Sequence, residues 1–456
     1  MRRIGLPLLS LSLLVGCAPA LAPIPAASTV APPMAWRTSL EGRAEIEPQW
    51  WNAFGDPALA WIVAAARANN PDIAIASARV REARGQERAS RSLLVPTLDG
   101  STGVSEARSL NAFGTASRSL GVQPVFQAAY EVDLFGRNRA QVDAASANTA
   151  ATQAAREAAA LAVTATAVSG YITLLTLDRR LETLRETLGA RAEALKIARD
   201  RAEVGYTSQL ELRQAQAEYR AAQQQIPAVE ASIARQENAL SQLIGETPRA
   251  LARGGNFAGL QTPAIPAVFP SELTRRRPDI AQAEFNLAAS DARMRAARAQ
   301  FLPQLRLAAS AGAVLSSQLD DPVGIWSLGG SILAPFFSGG RLEGQFDAAT
   351  AQRDQAAFAY QRTVLTAFRE VEDQLVLIDR LGEQERALVA QREAVADALR
   401  HATNRYRAGY SPYLEQIDAQ RALLSVELAI LQVRSDRLTA HVALYQALGG
   451  APESEA

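Results

Sequence analysis

The second half of this chain restates the first, and no other feature limits its fold so tightly. The stretch "NNPDIAIASARVREARGQERASRSLLVPTL" from Asn69 to Leu98 aligns without gaps on "RRPDIAQAEFNLAASDARMRAARAQFLPQL" from Arg276 to Leu305. Pro71 falls on Pro278, Asp72 on Asp279 and Pro96 on Pro303. "DLFGRNR" (Asp133 to Arg139) then matches "PFFSGGR" (Pro335 to Arg341), and "DRAEVGYTSQLELRQAQ" matches "NRYRAGYSPYLEQIDAQ" around Gly205 and Gly409. "LSQLIG" closes one copy at Gly245 and "LYQALG" the other at Gly449. The similarity runs over about 57–250 and 264–450; with flanking sequence, the structural repeats are drawn at 36–250 and 270–450, with a Pro/Gly-rich connector at 251–269 and a tail at 451–456. A chain built this way folds as two related units that share one architecture.

Each copy carries the same parts in the same order: a helix of about 25 residues, two strand-like runs, a very long helix, a glycine corner and a helix of about 38 residues. The first helix starts after Pro71 or Pro278 and stops just before Pro96 or Pro303, and Asp72 and Asp279 suit the positive end of its dipole. The long helices, about Arg137 to Glu203 and Arg341 to Arg407, contain no proline. At ~1.5 Å per residue each reaches roughly 100 Å. Val364, Phe368, Val371, Leu375 and Ile378 recur at steps of four and three, as do Leu424, Leu428, Leu431, Leu438, Val442 and Tyr445. Such heptads predict helices packed side by side as coiled coils.

The strand-like runs alternate. In "GVQPVFQAAYEVDLF", Val122, Pro124, Phe126, Ala128, Tyr130, Val132 and Leu134 share one face, while Gln123, Gln127, Glu131 and Asp133 share the other. Strands are expected at about 97–108, 121–134, 304–316 and 325–336. An apolar outer face, a polar inner face and this length fit a membrane barrel strand, or equally a soluble amphipathic hairpin. Four such strands cannot close a barrel, since the smallest membrane barrels have about eight. Unpaired backbone edges do not survive in lipid. In a membrane the chain must therefore share its strands with further copies.

The N-terminus reads "MRRIGLPLLSLSLLVGCAPA": two arginines, an apolar run and the chain's one cysteine, Cys17. This is a secretory signal over 1–16. "LVGC" resembles the bacterial lipobox, which implies lipidation of Cys17, and Ala18 after it implies routing to the outer membrane. The alternative is an ordinary signal peptide that happens to hold a cysteine. Residues 17–35, rich in Pro and Ala, read as a semi-extended tether unable to pack a core. No later segment reads as a membrane-spanning helix. The charge is balanced, with 47 basic and 47 acidic side chains, so nothing points to nucleic acid. With two histidines, His401 and His441, and no Ser/His/Asp grouping, phosphate loop or metal spacing, neither an enzyme nor a metalloprotein is expected, and no cofactor beyond the lipid on Cys17.

"PQWWNAFGDPAL", "RRRPDIAQAE", "YEVDLFGRNRAQVDAA", "PFFSGGRLEGQFDAA" and "RYRAGYSPYLEQIDAQRALL" resemble the motifs of the TolC-like outer-membrane efflux channels, and the lipobox resembles their lipoprotein branch (OprM/NodT-like). The likeness covers Trp36 to Gly450. It implies a mainly α fold with a β-barrel part: a homotrimer whose strands make one twelve-stranded outer-membrane barrel on a long α-helical periplasmic tunnel. It also implies a periplasmic adaptor, an inner-membrane pump of the resistance–nodulation–division class, and small-molecule export. Alternatives are a channel for type I protein secretion or metal efflux, or a periplasmic coiled-coil scaffold without a pore.

The corners are the candidate site. Gly205 and Gly409 end the long helices, Ser411 is placed to cap the next helix with Pro412 at its first position, and Thr207 or Ser208 to do so in the first copy, where Ser208 and Glu211 have capping-box spacing. Glu415 and Asp418 share a helix face, and rings of them in an oligomer would favour cations. The resemblance implies that Glu415 and Asp418 line a periplasmic constriction and that Tyr406 and Glu211 help hold it closed. A basic residue found in some members after the corner glycine is Ser411 here, which leaves Arg405 or Arg407 as the cation. Glu211 and Glu415 also suit a plain helix N-terminus. Arg275 to Arg277 read as a solvated cluster. Tyr206, Tyr410 and Ser411 sit where an adaptor would touch.

Overall fold

Two 67-residue helices dominate the computed structural model, which describes residues 18–38, 46–110 and 114–450. The signal sequence, the expected lipid-attachment residue Cys17 and the tail lie outside the described residues. The elements run α1 (Pro57–Asn69), α2 (Pro71–Arg91), β1 (Thr97–Leu110), β2 (Ala116–Val132), α3 (Arg137–Glu203), α4 (Gln209–Gln223), α5 (Gln225–Leu243), α6 (Pro270–Arg276), α7 (Pro278–Ala299), β3 (Gln304–Ser316), β4 (Val323–Leu333), α8 (Arg341–Arg407) and α9 (Tyr413–Ala447). They group into two units: 18–30 with 78–154 and 281–363, and 31–77 with 155–280 and 364–450.

The first unit holds the strands, in one antiparallel sheet of order β1-β2-β3-β4. Its register decides what the sheet is for. Leu98 lies opposite Ala128, Gly100 opposite Phe126 and Val104 opposite Val122. Phe126 in turn lies opposite Ala311, Tyr130 opposite Leu307 and Val132 opposite Leu305. Ala311 faces Trp326, Ala309 faces Leu328 and Leu305 faces Ile332. Directly opposed residues share a face, so from the Val104–Val122 row to the Leu305–Ile332 row one side of the sheet is apolar, while Glu106, Arg108 and Arg118 fall on that side beyond it. The other side carries Asp99, Gln127, Ser310 and Ser327 in one cross-sheet row, and Glu131, Arg306 and Ser331 in another. From Val122 to Val132 the apolar face of β2 spans eleven residues, ~34 Å of strand, which at a barrel tilt of ~40° covers about 26 Å of bilayer.

β2 begins at Ala116, earlier than the alternation suggests, because its first residues continue the ladder opposite Glu106 to Leu110. Those residues include Arg118, ion-paired to Glu106, and their polarity hid the strand. It stops at Val132 because the Asp133 carboxylate turns to accept from the Asn138 and Arg139 amides at the start of α3.

The N-terminal segment does not hang free, as its composition suggested. Ser28 is buried, Arg298 donates to the Pro19 carbonyl at 2.7 Å, and Gln361 donates to that of Ala27 at 2.8 Å. Arg353, only 1% exposed, holds the Ala22 and Pro23 carbonyls. Poor in side chains, the strap is fixed through its backbone acceptors.

The second unit is helical. The predicted heptad residues of α8, from Val364 to Ile378, are all buried, and Tyr171, Ile172, Leu174 and Leu175 of α3 are almost fully so. α3 also carries a stretch apolar and long enough by composition to cross a membrane, contrary to expectation; half of it is buried within the protein. The helix expected after the first corner is broken into α4 and α5 at Gln224, three residues before Pro227, whose ring cannot continue the ladder. Arg277 is not solvated: it is 7% exposed, donates to the Ala447 carbonyl at the end of α9 at 2.8 Å, and ion-pairs with Asp279 and Glu370 at 2.7 and 2.8 Å. Asn70 does the matching job in the first copy, donating to the Leu243 carbonyl at 2.9 Å.

Candidate functional site

Both corners lie in the helical unit and are built alike. Gly205 and Gly409 take φ of 77° and 79°. The Tyr206 amide returns to the Arg201 carbonyl and the Tyr410 amide to that of Arg405, each at 2.8 Å. The Gly205 and Gly409 amides bond Ala202 and Tyr406 in the same pattern. Each long helix thus ends in a Schellman motif, which needs a left-handed residue at the glycine.

The helices leaving the corners start differently. Ser208 caps α4, accepting from the Glu211 amide at 3.4 Å. Ser411 does not cap α9. Pro412 occupies the cap position, with no side-chain acceptor, and the Ser411 hydroxyl is buried without a partner among the described residues. α9 therefore begins one residue later than the proline rule predicts.

Between the corners lies a small core of Ala194, Ala198, Ala215, Tyr406, Tyr413 and Ile417. The Tyr406 and Tyr413 rings sit 5.1 Å apart. Arg201 stacks on Tyr406 at 4.8 Å and donates to the Tyr406 and Arg407 carbonyls at 3.1 and 3.0 Å, so one guanidinium of the first copy caps the last turn of α8 in the second. Burial, then the negative charge of Glu211, raises the Tyr406 pKa against the opposing Arg201. Burial, with Tyr406 and Glu218, pushes Tyr413 up to about 12. Both phenols stay protonated at neutral pH. Tyr406 and Glu211 are electrostatically coupled but make no hydrogen bond to one another.

Glu415 meets Arg405 at 3.6 Å, one of the two cations the sequence left for it. Asp418 meets Arg421 at 3.9 Å, and Arg421 also donates to Glu218 from Nε at 3.1 Å. Glu218 is buried and pairs with the equally buried Arg191 at 3.2 Å, while Arg191 also takes the Glu218 carbonyl at 2.8 Å. A chain of charges, Arg191–Glu218–Arg421–Asp418, therefore runs from α3 through α4 to α9. Glu415 and Asp418 are both exposed on α9. So are Tyr206 and Tyr410 at the corner tips, at 85% and 81%.

The repeated units are each recognised as a known module. Residues 62–246 and 269–450 match the family model of the outer membrane efflux proteins. The chain belongs to the outer membrane efflux protein family. Among related proteins of this family, the pyoverdine export outer membrane protein OpmQ of Pseudomonas aeruginosa is 32% identical over 99% of this chain and 98% of its own length. The toluene efflux pump outer membrane protein TtgI of Pseudomonas putida is 35% identical over 87% of this chain and 86% of its own. Among solved structures, the outer-membrane channel OprN aligns with TM-score 0.84 and 27% identity over 93% of this chain and 98% of that one. The Campylobacter jejuni CmeC outer membrane channel aligns with TM-score 0.86 and 25% identity over 96% of each. This efflux protein is accordingly an outer-membrane channel component of an efflux system, with the mixed helical and strand fold that its sequence predicted.

Sequence reasoning found the corners and their carboxylates in this efflux protein, and missed Arg191, Arg201, Glu218 and Arg421. The two corners align at a constant offset, which places Val395 at the position of Arg191 and Ala422 at that of Glu218. A search by symmetry passes over a buried pair present in one copy alone.

Proposed function

We propose that this chain is the lipid-anchored, homotrimeric channel of a tripartite efflux system, in which it passes small organic molecules handed on by a periplasmic adaptor and a proton-driven inner-membrane pump of the resistance–nodulation–division class. The reading rests above all on the register of the sheet: four strands with an apolar band on one face, from the row of Val122 to that of Val132, and two outer edges that pair with no strand among the described residues. Such a sheet is stable in lipid only as part of a closed wall shared between copies. The relatives whose names mention toluene, solvents, antibiotics or pyoverdine support small organic cargo. Cys17 carries the lipid.

The gate is formed by Glu415 and Asp418, with Tyr406 and Glu211 behind them, and the exposed tips at Tyr206, Tyr410 and Ser411 with the turns at Gly205 and Gly409 face the adaptor. Seven polar atoms near the corners are buried without a partner among the described residues: Thr207 Oγ1, Glu211 Oε2, Tyr406 OH, Ser411 Oγ, Tyr413 OH, Gln416 Oε1 and Gln420 Oε1. Each such atom costs about 1–3 kcal/mol, which suits an element that must rearrange. The test is the purified protein in a planar bilayer. A trimer with cation-selective conductance is expected, and Glu415→Ala with Asp418→Ala should weaken that selectivity. A monomer that passes no ions overturns the channel reading; an unchanged selectivity removes these carboxylates from the gate.

A further inference from the structure

We propose that the strap-lined cavity of the first unit is a binding site for the headgroup of an anionic phospholipid. The cavity has a volume of 310 Å³ and is lined by the strap at Leu21, by the start of α3 from Phe135 to Asp143, and by the end of α7 with Leu302 just beyond it. Its charged lining is three guanidiniums, Arg139, Arg295 and Arg298, against one carboxylate, Asp143.

None of the three arginines is fully engaged. Arg139 approaches Asp133 at only 3.8 Å and is 71% exposed. Arg295 pairs with Asp143 at 3.5 Å and Asp291 at 3.4 Å, both longer than the ~2.7–2.9 Å of a close charge-assisted hydrogen bond. Arg298 spends its Nε on the Pro19 carbonyl, and its terminal amino groups have no hydrogen-bond partner among the described residues. A phosphate monoanion offers the acceptor geometry that such forked donors lack here.

The remaining lining is apolar: Leu21, Phe135, Ala140, Ala299 and Leu302. A free phosphate has no use for it, whereas the glycerol and upper acyl carbons of a lipid do. Phe135 and Leu134 lie just past the end of β2, and both are exposed. On the reading of β2 as outer-membrane wall, this is the depth of the inner-leaflet headgroups, where aromatic side chains gather. The strap that forms one wall descends from Cys17. The diacylglyceryl group expected there is uncharged and accounts for none of the three arginines. An anionic lipid held here would tie strap, α3 and α7 together at the membrane surface.

The inference rests on the channel reading, so its test separates the two. The full-length protein, purified in a neutral detergent and stripped of lipid, is titrated with phosphatidylglycerol, phosphatidylcholine or inorganic phosphate and examined by native mass spectrometry; planar-bilayer conductance is recorded on the same samples. We expect one phosphatidylglycerol per chain, at least tenfold weaker binding of phosphatidylcholine, and no displacement by millimolar phosphate. Arg139→Gln with Arg295→Gln and Arg298→Gln should lower phosphatidylglycerol affinity at least tenfold while conductance persists. The single change Arg295→Gln, at an exposed side chain, should lower it several-fold even if the triple variant folds poorly. Equal binding of the two lipids, unchanged affinity in Arg295→Gln, or displacement by inorganic phosphate overturns the site. Absence of conductance in the wild-type protein would instead overturn the channel.

Discussion

Glycine does two different jobs in this chain, and the difference is measurable at single residues. At Gly205 and Gly409 a Cβ would meet nothing within 4 Å, so alanine there meets only the strain of a left-handed backbone, about 1 kcal/mol. At Gly245 and Gly449 the backbone is equally left-handed, and a Cβ would also fall 2.6 Å from the Asn69 carbonyl oxygen or 2.7 Å from that of Arg276. Gly245→Ala and Gly449→Ala should therefore lower the thermal midpoint clearly more than Gly205→Ala and Gly409→Ala, as followed by the helical circular-dichroism signal in detergent. Equal losses would mean that the close approach is relaxed at no cost. A second residue sets a pH response. His441 is 2% exposed, both ring nitrogens lack partners among the described residues, and burial with the nearby Arg437 lowers its pKa to about 4. The folded pKa lies below the unfolded value of ~6.5, so the folded state resists protonation. Its contribution is fully present above pH ~6.5 and is lost as pH falls toward 4, up to about 3 kcal/mol. His441→Leu should flatten that part of the stability profile relative to wild type. A midpoint that falls equally in both proteins between pH 6.5 and 4.5 would show that the ring is not the titrating group.

At the scale of elements, what could be read in advance was what repeats. The long helices were legible because α3 and α8 contain no proline and end at a glycine. The strands were legible wherever the alternation was apolar, and β2 was misjudged where it was not, at the paired Arg118 and Glu106. The break at Pro227 was visible in the sequence, but the analogy with the unbroken α9 concealed it. Ser411 looked like a cap because Pro412 suited the first helical position; Pro412 takes the cap position itself. The charged chain across the corners was illegible because its members lie up to about 230 residues apart and break the symmetry that the rest of the chain obeys. This asymmetry predicts which element contact matters most. The Arg191 and Glu218 side chains are 4% and 8% exposed. Removing one partner leaves a buried uncompensated charge, which costs about 3–5 kcal/mol, whereas removing both often costs little. Glu218→Gln should lower the thermal midpoint and open the corner to proteinase K. Arg191→Met with Glu218→Leu should restore much of the midpoint, while Arg421, left without its buried acceptor, no longer ties α4 to α9. Equal damage from the single and double changes would show that shape rather than charge holds the three helices.

For the whole molecule, the sheet register turns one chain's incompleteness into a statement about its surroundings. A soluble four-stranded sheet buries its apolar face on a helix layer. Here Trp326, Leu328, Phe126, Val104 and Leu98 are exposed at 80%, 78%, 63%, 70% and 71%, so the face must meet lipid or another copy. The opposite face carries the Gln127, Ser310 and Ser327 row, with the two serine hydroxyls hydrogen-bonded at 2.8 Å. Alternation then makes neighbouring residues of β4 opposite in consequence. Trp326 belongs to the Gly100–Phe126–Ala311 row near the middle of the apolar band. An arginine there would face the bilayer midplane at a cost of about 2–4 kcal/mol per chain, repeated in every copy of the wall. Trp326→Arg should therefore sharply reduce the heat-modifiable oligomer recovered from outer membranes. Ser327→Arg, one residue on, places the same charge on the polar face. It should leave oligomer yield intact while lowering single-channel conductance and cation preference, because each copy adds a fixed positive charge to the lumen. If Ser327→Arg abolishes assembly and Trp326→Arg does not, the faces are reversed, and the polar rows seal a contact rather than line a passage.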